Sequence, residues 1–132
     1  MNYLPDTHYL IWAITDTKKL SKKIRELITN PDNRVIISTV SFWEISLKSS
    51  LGKLQLTGFS AENLPDLCRR MGFEIETLSP KDSSTWHQLK ASYHKDPFDR
   101  MLIWQAISNK YTLISADKNI EKYTSEGLKI VS

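Results

Sequence analysis

Apolar residues along this chain recur in two rhythms, and the rhythms alternate. Short β-branched or period-two runs read as strands, and longer segments with apolar positions at helical spacing read as helices. Met1 to Pro5 predicts a first strand ending at Pro5, where a missing N–H donor is tolerable. A helix follows from near Thr7 through about Ile14. Lys18 to Ile28 places Leu20, Ile24, Leu27 and Ile28 on one stripe of a surface helix. Asn30-Pro31-Asp32-Asn33 is a turn. Val35-Ile36-Ile37-Ser38 has the continuous pattern of a strand buried on both faces. Ser41-Phe42-Trp43-Glu44 matches the Ser-x-x-Glu capping box and predicts a helix to about Ser50, ending before Gly52. A helix over Ala61 to Met71 carries Leu64, Leu67, Cys68 and Met71 on one face, and Gly72 closes it. Phe73 to Leu78 alternates apolar and polar, the pattern of a strand with one exposed side. Pro80 opens a helix through about Leu89. Thr112 to Ser115 and Leu128 to Val131 are strands, with a short helix over about Asn119 to Tyr123 between them.

The segment His94-Lys95-Asp96-Pro97-Phe98-Asp99-Arg100 opens the most apolar helix of the chain, running from Pro97 to about Asn109. Asp96 suits the N-cap, Pro97 the first helical position, and Asp99 the first turn. Met101, Leu102, Ile103, Trp104, Ala106 and Ile107 leave hardly any polar face, so this helix is buried on more than one side.

Strands and helices alternating through short links argue for an α/β fold with a parallel central sheet flanked by helices. Sites in such sheets form beyond the carboxyl ends of the strands. Asp6 follows the first strand, Glu44 lies in the first turn after the second, and Asp117 follows the fourth. Asp99 opens the helix that must pack on the same sheet. Each acid alone has a bland reading: Asp6 as an N-cap, Glu44 as a capping-box acid, Asp117 as a turn residue, Asp96 and Asp99 as a capping pair. Their joint placement at one sheet edge favours a site.

Composition narrows the chemistry. The 132 residues are one domain's worth, with 40% hydrophobic and 25% charged residues and a formal net charge of +3, compatible with a nucleic-acid partner. Cys68 is the single cysteine, so neither an internal disulfide nor a Cys/His zinc site is expected, and a reducing, cytoplasmic setting fits. The apolar run Leu10 to Ile14 is too short to span a membrane. Ser115 and Thr7 lack a His partner for nucleophilic catalysis. A phospho-receiver would need paired acids after the first strand and an acid after a middle strand. A haloacid-dehalogenase-like phosphatase would need Asp-x-Asp, where this chain has His8. Converging carboxylates are hard oxygen ligands for Mg²⁺ or Mn²⁺, and such ions support phosphodiester hydrolysis.

The blocks Pro5-Asp6-Thr7-His8 with Trp12, Ser38-Thr39-Val40-Ser41-Phe42-Trp43-Glu44-Ile45 with Lys48 and Gly52-Lys53-Leu54, His94 to Leu102, and Ser115-Ala116-Asp117 occur in an order and spacing that resembles a PIN domain, specifically the VapC-type ribonuclease toxins of toxin–antitoxin pairs. The resemblance covers residues 1–132 and implies a three-layer α/β/α fold with a mainly parallel sheet. It implies Mg²⁺- or Mn²⁺-dependent endoribonuclease activity leaving 5′-phosphate and 3′-hydroxyl ends. Asp6, Glu44 and Asp99 match the family's metal-binding acids and Asp117 its fourth acid. Thr7, Ser115, Asp96 and Arg100 match supporting positions, with Arg100 and Lys95 either ordinary surface charges or holders of the RNA backbone. Pro5 departs from the aliphatic residue usual before the first acid. A cognate antitoxin, an RNA substrate and a homodimer are the implied partners. The alternative is a PIN domain that processes or binds RNA without being a toxin.

Overall fold

A computed structural model describes all of residues 1–132. The strands β1 (Asn2–Pro5), β2 (Arg34–Ser38), β3 (Glu74–Glu76), β4 (Thr112–Ile114) and β5 (Lys129–Val131) form one sheet in the order β3-β2-β1-β4-β5. Every pairing is parallel, with Tyr3 opposite Val35 on one side and opposite Thr112 on the other. The helices are α1 (Thr7–Thr15), α2 (Lys22–Thr29), α3 (Thr39–Ser50), α4 (Leu64–Arg70), α5 (Pro80–Thr85), α6 (Pro97–Asn109) and α7 (Lys118–Glu121).

Successive side chains of a strand point to opposite faces, and here both faces are covered. Leu4, Ile36 and Leu113 meet Leu102, Ile103 and Ala106 of α6, with Ile120 and Tyr123 beyond. Val35, Ile37 and Ile114 meet Leu10 and Ala13 of α1, Ile24 of α2, Ile45 of α3, and Leu64 and Cys68 of α4. The sheet is therefore the middle of three layers, and the all-apolar pattern of β2 follows from burial on both sides.

From β1 the chain builds outward through β2 to β3, then crosses back to lay β4 against the other side of β1. The direction of winding reverses between β1 and β4. Open parallel sheets bind ligands at such a reversal, in the crevice beyond the carboxyl ends of the two strands.

Three expected elements are corrected. Ser41 does not cap its helix: Ser38 does, its hydroxyl accepting the Val40 N–H at 3.1 Å. The helix so begins directly at the end of β2, and Glu44 falls in the second turn rather than the first. The Lys18 to Ile28 helix divides into a 3₁₀ turn over Thr17–Lys19, capped by Asp16, and α2, capped by Ser21. Pro80 to Leu89 is helical only to Thr85 and continues as a 3₁₀ turn over Trp86–Gln88. Gly72 terminates α4 with φ of +83°, the left-handed conformation expected after a helix end.

Candidate active site

Asp6 stands at the reversal point. Its backbone N–H donates to Ile114 of β4 at 2.9 Å, and its carboxylate accepts the Tyr9 N–H at 2.9 Å as the N-cap of α1. The residue is 4% exposed, and burial raises its pKa, with the Tyr9 amide and the Ser115 hydroxyl partly offsetting that rise.

Glu44 reaches the same crevice from α3 and is 2% exposed. Thr7 donates to Glu44 Oε1 at 2.6 Å, and Ser41 lies 3.1 Å from the same hydroxyl. Lys48, one turn further along α3, pairs with Glu44 Oε2. Hydrogen bonding to Glu44 raises the Lys48 pKa, and Asp96 and Asp99 add to that rise.

Asp99 enters from α6. Burial pushes its carboxyl up to about 7, and the charges of Asp96, Glu44, Asp6 and Asp117 push in the same direction. Acids from four separate stretches of sequence thus share one electrostatic environment. Asp96 is the N-cap of α6, accepting the N–H groups of Phe98 at 2.9 Å and Asp99 at 3.1 Å. Asp117 is exposed and caps α7 through the Asn119 N–H at 2.8 Å, so it lies at the outer edge of the cluster. Ser115 is buried behind Asp6, its hydroxyl accepting the Asp117 N–H at 3.2 Å.

Arg100 is placed differently from its neighbours. It is 8% exposed, and its guanidinium donates to the carbonyls of Ala91 at 2.7 Å and Leu89 at 3.3 Å and to the Tyr123 hydroxyl at 2.7 Å. The guanidinium also covers the Trp86 ring at 5.1 Å. These contacts fasten the loop before α6 to the body of the protein and leave no free fork for a phosphate.

The donors in the crevice are carboxylate and hydroxyl oxygens, which match Mg²⁺ or Mn²⁺ in kind. No three His, Cys, Asp or Glu groups close around a single point in this conformation. Both oxygens of Glu44 are engaged, one by Thr7 and the other by Lys48.

A family model described as the PIN domain matches residues 3–126. The chain belongs to the PIN domain family. Ribonuclease VapC22 of Mycobacterium tuberculosis is 22% identical to this PIN domain over 124 residues, covering 91% of this chain and 90% of that protein. Among solved structures, VapBC2 from Rickettsia felis, bound to a promoter DNA fragment, superposes with a TM-score of 0.73 at 18% identity, over 99% of this chain and 98% of that one. VapBC-5 from Mycobacterium tuberculosis, a member of the VapBC family of toxin–antitoxin systems, gives 0.60 at 17% identity over 98% and 97%.

Two participants were not placed beside the acids by the sequence. Lys48 sits four residues after Glu44, the spacing at which a helical acid and base meet, so its signal was present. His94, which the sequence reads as a structural or solvent-facing group that could meet a phosphate, instead lies with Nε2 3.5 Å from Asp99 Oδ2, approaching from a loop.

Proposed function

We propose that this PIN domain is a divalent-metal-dependent endoribonuclease and the toxin of a toxin–antitoxin pair. The observation that supports the reading is the electrostatic coupling of Asp99 to Asp6, Glu44, Asp96 and Asp117, whose charges together with burial push its carboxyl up to about 7. Carboxylates held together against their repulsion are stabilised either by protons or by a cation. Asp6 and Asp99 would hold Mg²⁺ or Mn²⁺, with Glu44 joining directly or through water once Lys48 releases it. The ion would supply a water of lowered pKa and polarise a phosphoryl oxygen of the RNA. Thr7 and Ser41 orient Glu44, Ser115 supports Asp6, and Asp96 fixes the start of α6 so that Asp99 faces the cluster. The net charge of +3 favours approach of a polyanion.

The toxin role and its partner rest on the resemblance to VapC22 and to VapBC assemblies. Trp43 and Leu47 of α3 and Leu51 just past its end are exposed apolar side chains at helical spacing, and they suit an antitoxin segment laid across them.

The test is cleavage of total RNA by the purified protein with Mg²⁺ or Mn²⁺, with EDTA as control, alongside Asp6→Asn and Asp99→Asn. The expected result is metal-dependent cleavage by the wild type and none by either variant, both remaining folded by circular dichroism. Metal-dependent cleavage retained by both variants would overturn the assignment. RNA binding without cleavage by the wild type would favour a non-toxin PIN domain.

A further inference from the structure

The loop from Lys90 to Lys95 delivers one side chain to the carboxylate cluster. His94 keeps only 12% of its side chain exposed, and its ring packs on Tyr123 at 5.5 Å. Nδ1 lies 3.2 Å from the Tyr123 hydroxyl, and Nε2 lies 3.5 Å from Asp99 Oδ2. Nε2 is buried and has no hydrogen-bond partner.

Arg100, at the far end of this line, favours one direction for its protons. Arg100 can only donate, and its Nη1 is 2.7 Å from the Tyr123 oxygen. That oxygen is therefore the acceptor, and the phenolic hydrogen is free to point at His94 Nδ1. With Nδ1 accepting that hydrogen, the neutral imidazole carries its own hydrogen on Nε2, facing Asp99. Arg100 is held by two backbone carbonyls and by Trp86, so the whole line is anchored in the core.

We propose that His94 is a positioning residue for Asp99. Its Nε2–H fixes Asp99 Oδ2, leaving the other oxygen for the cation, and the Arg100–Tyr123 pair selects the tautomer that makes this possible. The 3.5 Å separation closes to a hydrogen bond with a small rotation of either side chain. A carboxylate that ligates a metal is commonly oriented by such an outer partner. The inference rests on the reading of Asp99 as a ligand.

The experiment is ¹⁵N NMR of histidine-labelled protein without metal or RNA, together with Mn²⁺ binding followed by the electron paramagnetic resonance of free Mn²⁺. In the wild type, His94 is expected to carry its proton on Nε2 with Nδ1 bare, and Tyr123→Phe is expected to erode that preference. His94→Leu is expected to weaken Mn²⁺ binding about tenfold. His94→Gln, whose amide N–H reaches the Nε2 position, is expected to restore most of it. A His94 proton resident on Nδ1, both nitrogens protonated, or Mn²⁺ binding by His94→Leu equal to wild type would overturn the proposal. A protein with the expected tautomer and Mn²⁺ response but no RNA cleavage would sink the ribonuclease reading and leave the role of His94 intact.

Discussion

The Lys48 ammonium lies against the Glu44 carboxylate, one helical turn away on α3 and inside the acidic crevice. A cation from the chain itself thus compensates part of the charge that a metal would otherwise neutralise. Lys48→Met is expected to lower the stability of the metal-free protein by about 1–2 kcal/mol. Losing a buried pair costs more than that, but Lys48 keeps 38% of its side chain exposed and solvent screens it. The same variant is expected to gain a larger rise in melting temperature on adding Mn²⁺ than the wild type does. Melts with EDTA and with Mn²⁺ check both statements, and an unchanged metal response would show that Lys48 does not compete for Glu44.

Asp99 predicts a pH dependence whose sign is fixed by linkage. Its carboxyl titrates near 3.8 when unperturbed and near 7 in the fold, so the native state binds a proton that the unfolded chain has released. Its contribution to stability is largest at low pH and declines as pH rises through that interval. Metal-free Asp99→Asn is therefore expected to gain stability relative to wild type as pH rises from about 5 to 8. Denaturant melts across that range measure the difference, and parallel curves would contradict it.

Arg100 and Lys95 are expected to behave oppositely. Replacing Arg100 by Lys removes the fork that serves Leu89, Ala91 and Tyr123, a loss of about 2–3 kcal/mol of stability. The salt dependence of RNA binding should not change in that variant. Lys95 is exposed, and Lys95→Ala should leave the melting temperature alone while reducing the salt slope of RNA binding by about one ion. Fluorescence anisotropy at several salt concentrations separates the two.

Ile103 is fully buried where α6 meets the sheet. Ile103→Ala is expected to cost about 3–4 kcal/mol by lost burial and the cavity left behind. Chemical denaturation with unchanged slope would confirm it, and a cost below about 1 kcal/mol would mean that the layers relax into the gap.

The strands of this PIN domain were legible because burial on both faces leaves an uninterrupted apolar signature in β2 and β4. α6 was legible from its cap, its Pro97 and its apolar girth. The start of α3 was misread because Ser38 and Ser41 both offer a capping hydroxyl. The chain turns into helix directly at the strand end, so the earlier serine caps. The convergence of Asp6, Glu44 and Asp99 could be argued from topology, because parallel strands align their carboxyl ends. Pairings between side chains distant in sequence were not legible: spacing does not reveal that Tyr123 stands beside His94, or that Arg100 turns inward. Gln105 is a further case, a buried amide that accepts the Ser38 hydroxyl at 2.6 Å and so ties α6 to the end of β2.

The placement of β4 beside β1 has a temporal consequence. Tyr3 is paired with Thr112, so β1 waits for the fourth strand of the sheet. Contacts so distant in sequence form slowly. The two walls that carry Asp6 and Ser115 therefore meet late in biogenesis, and a half-synthesised chain holds no working crevice.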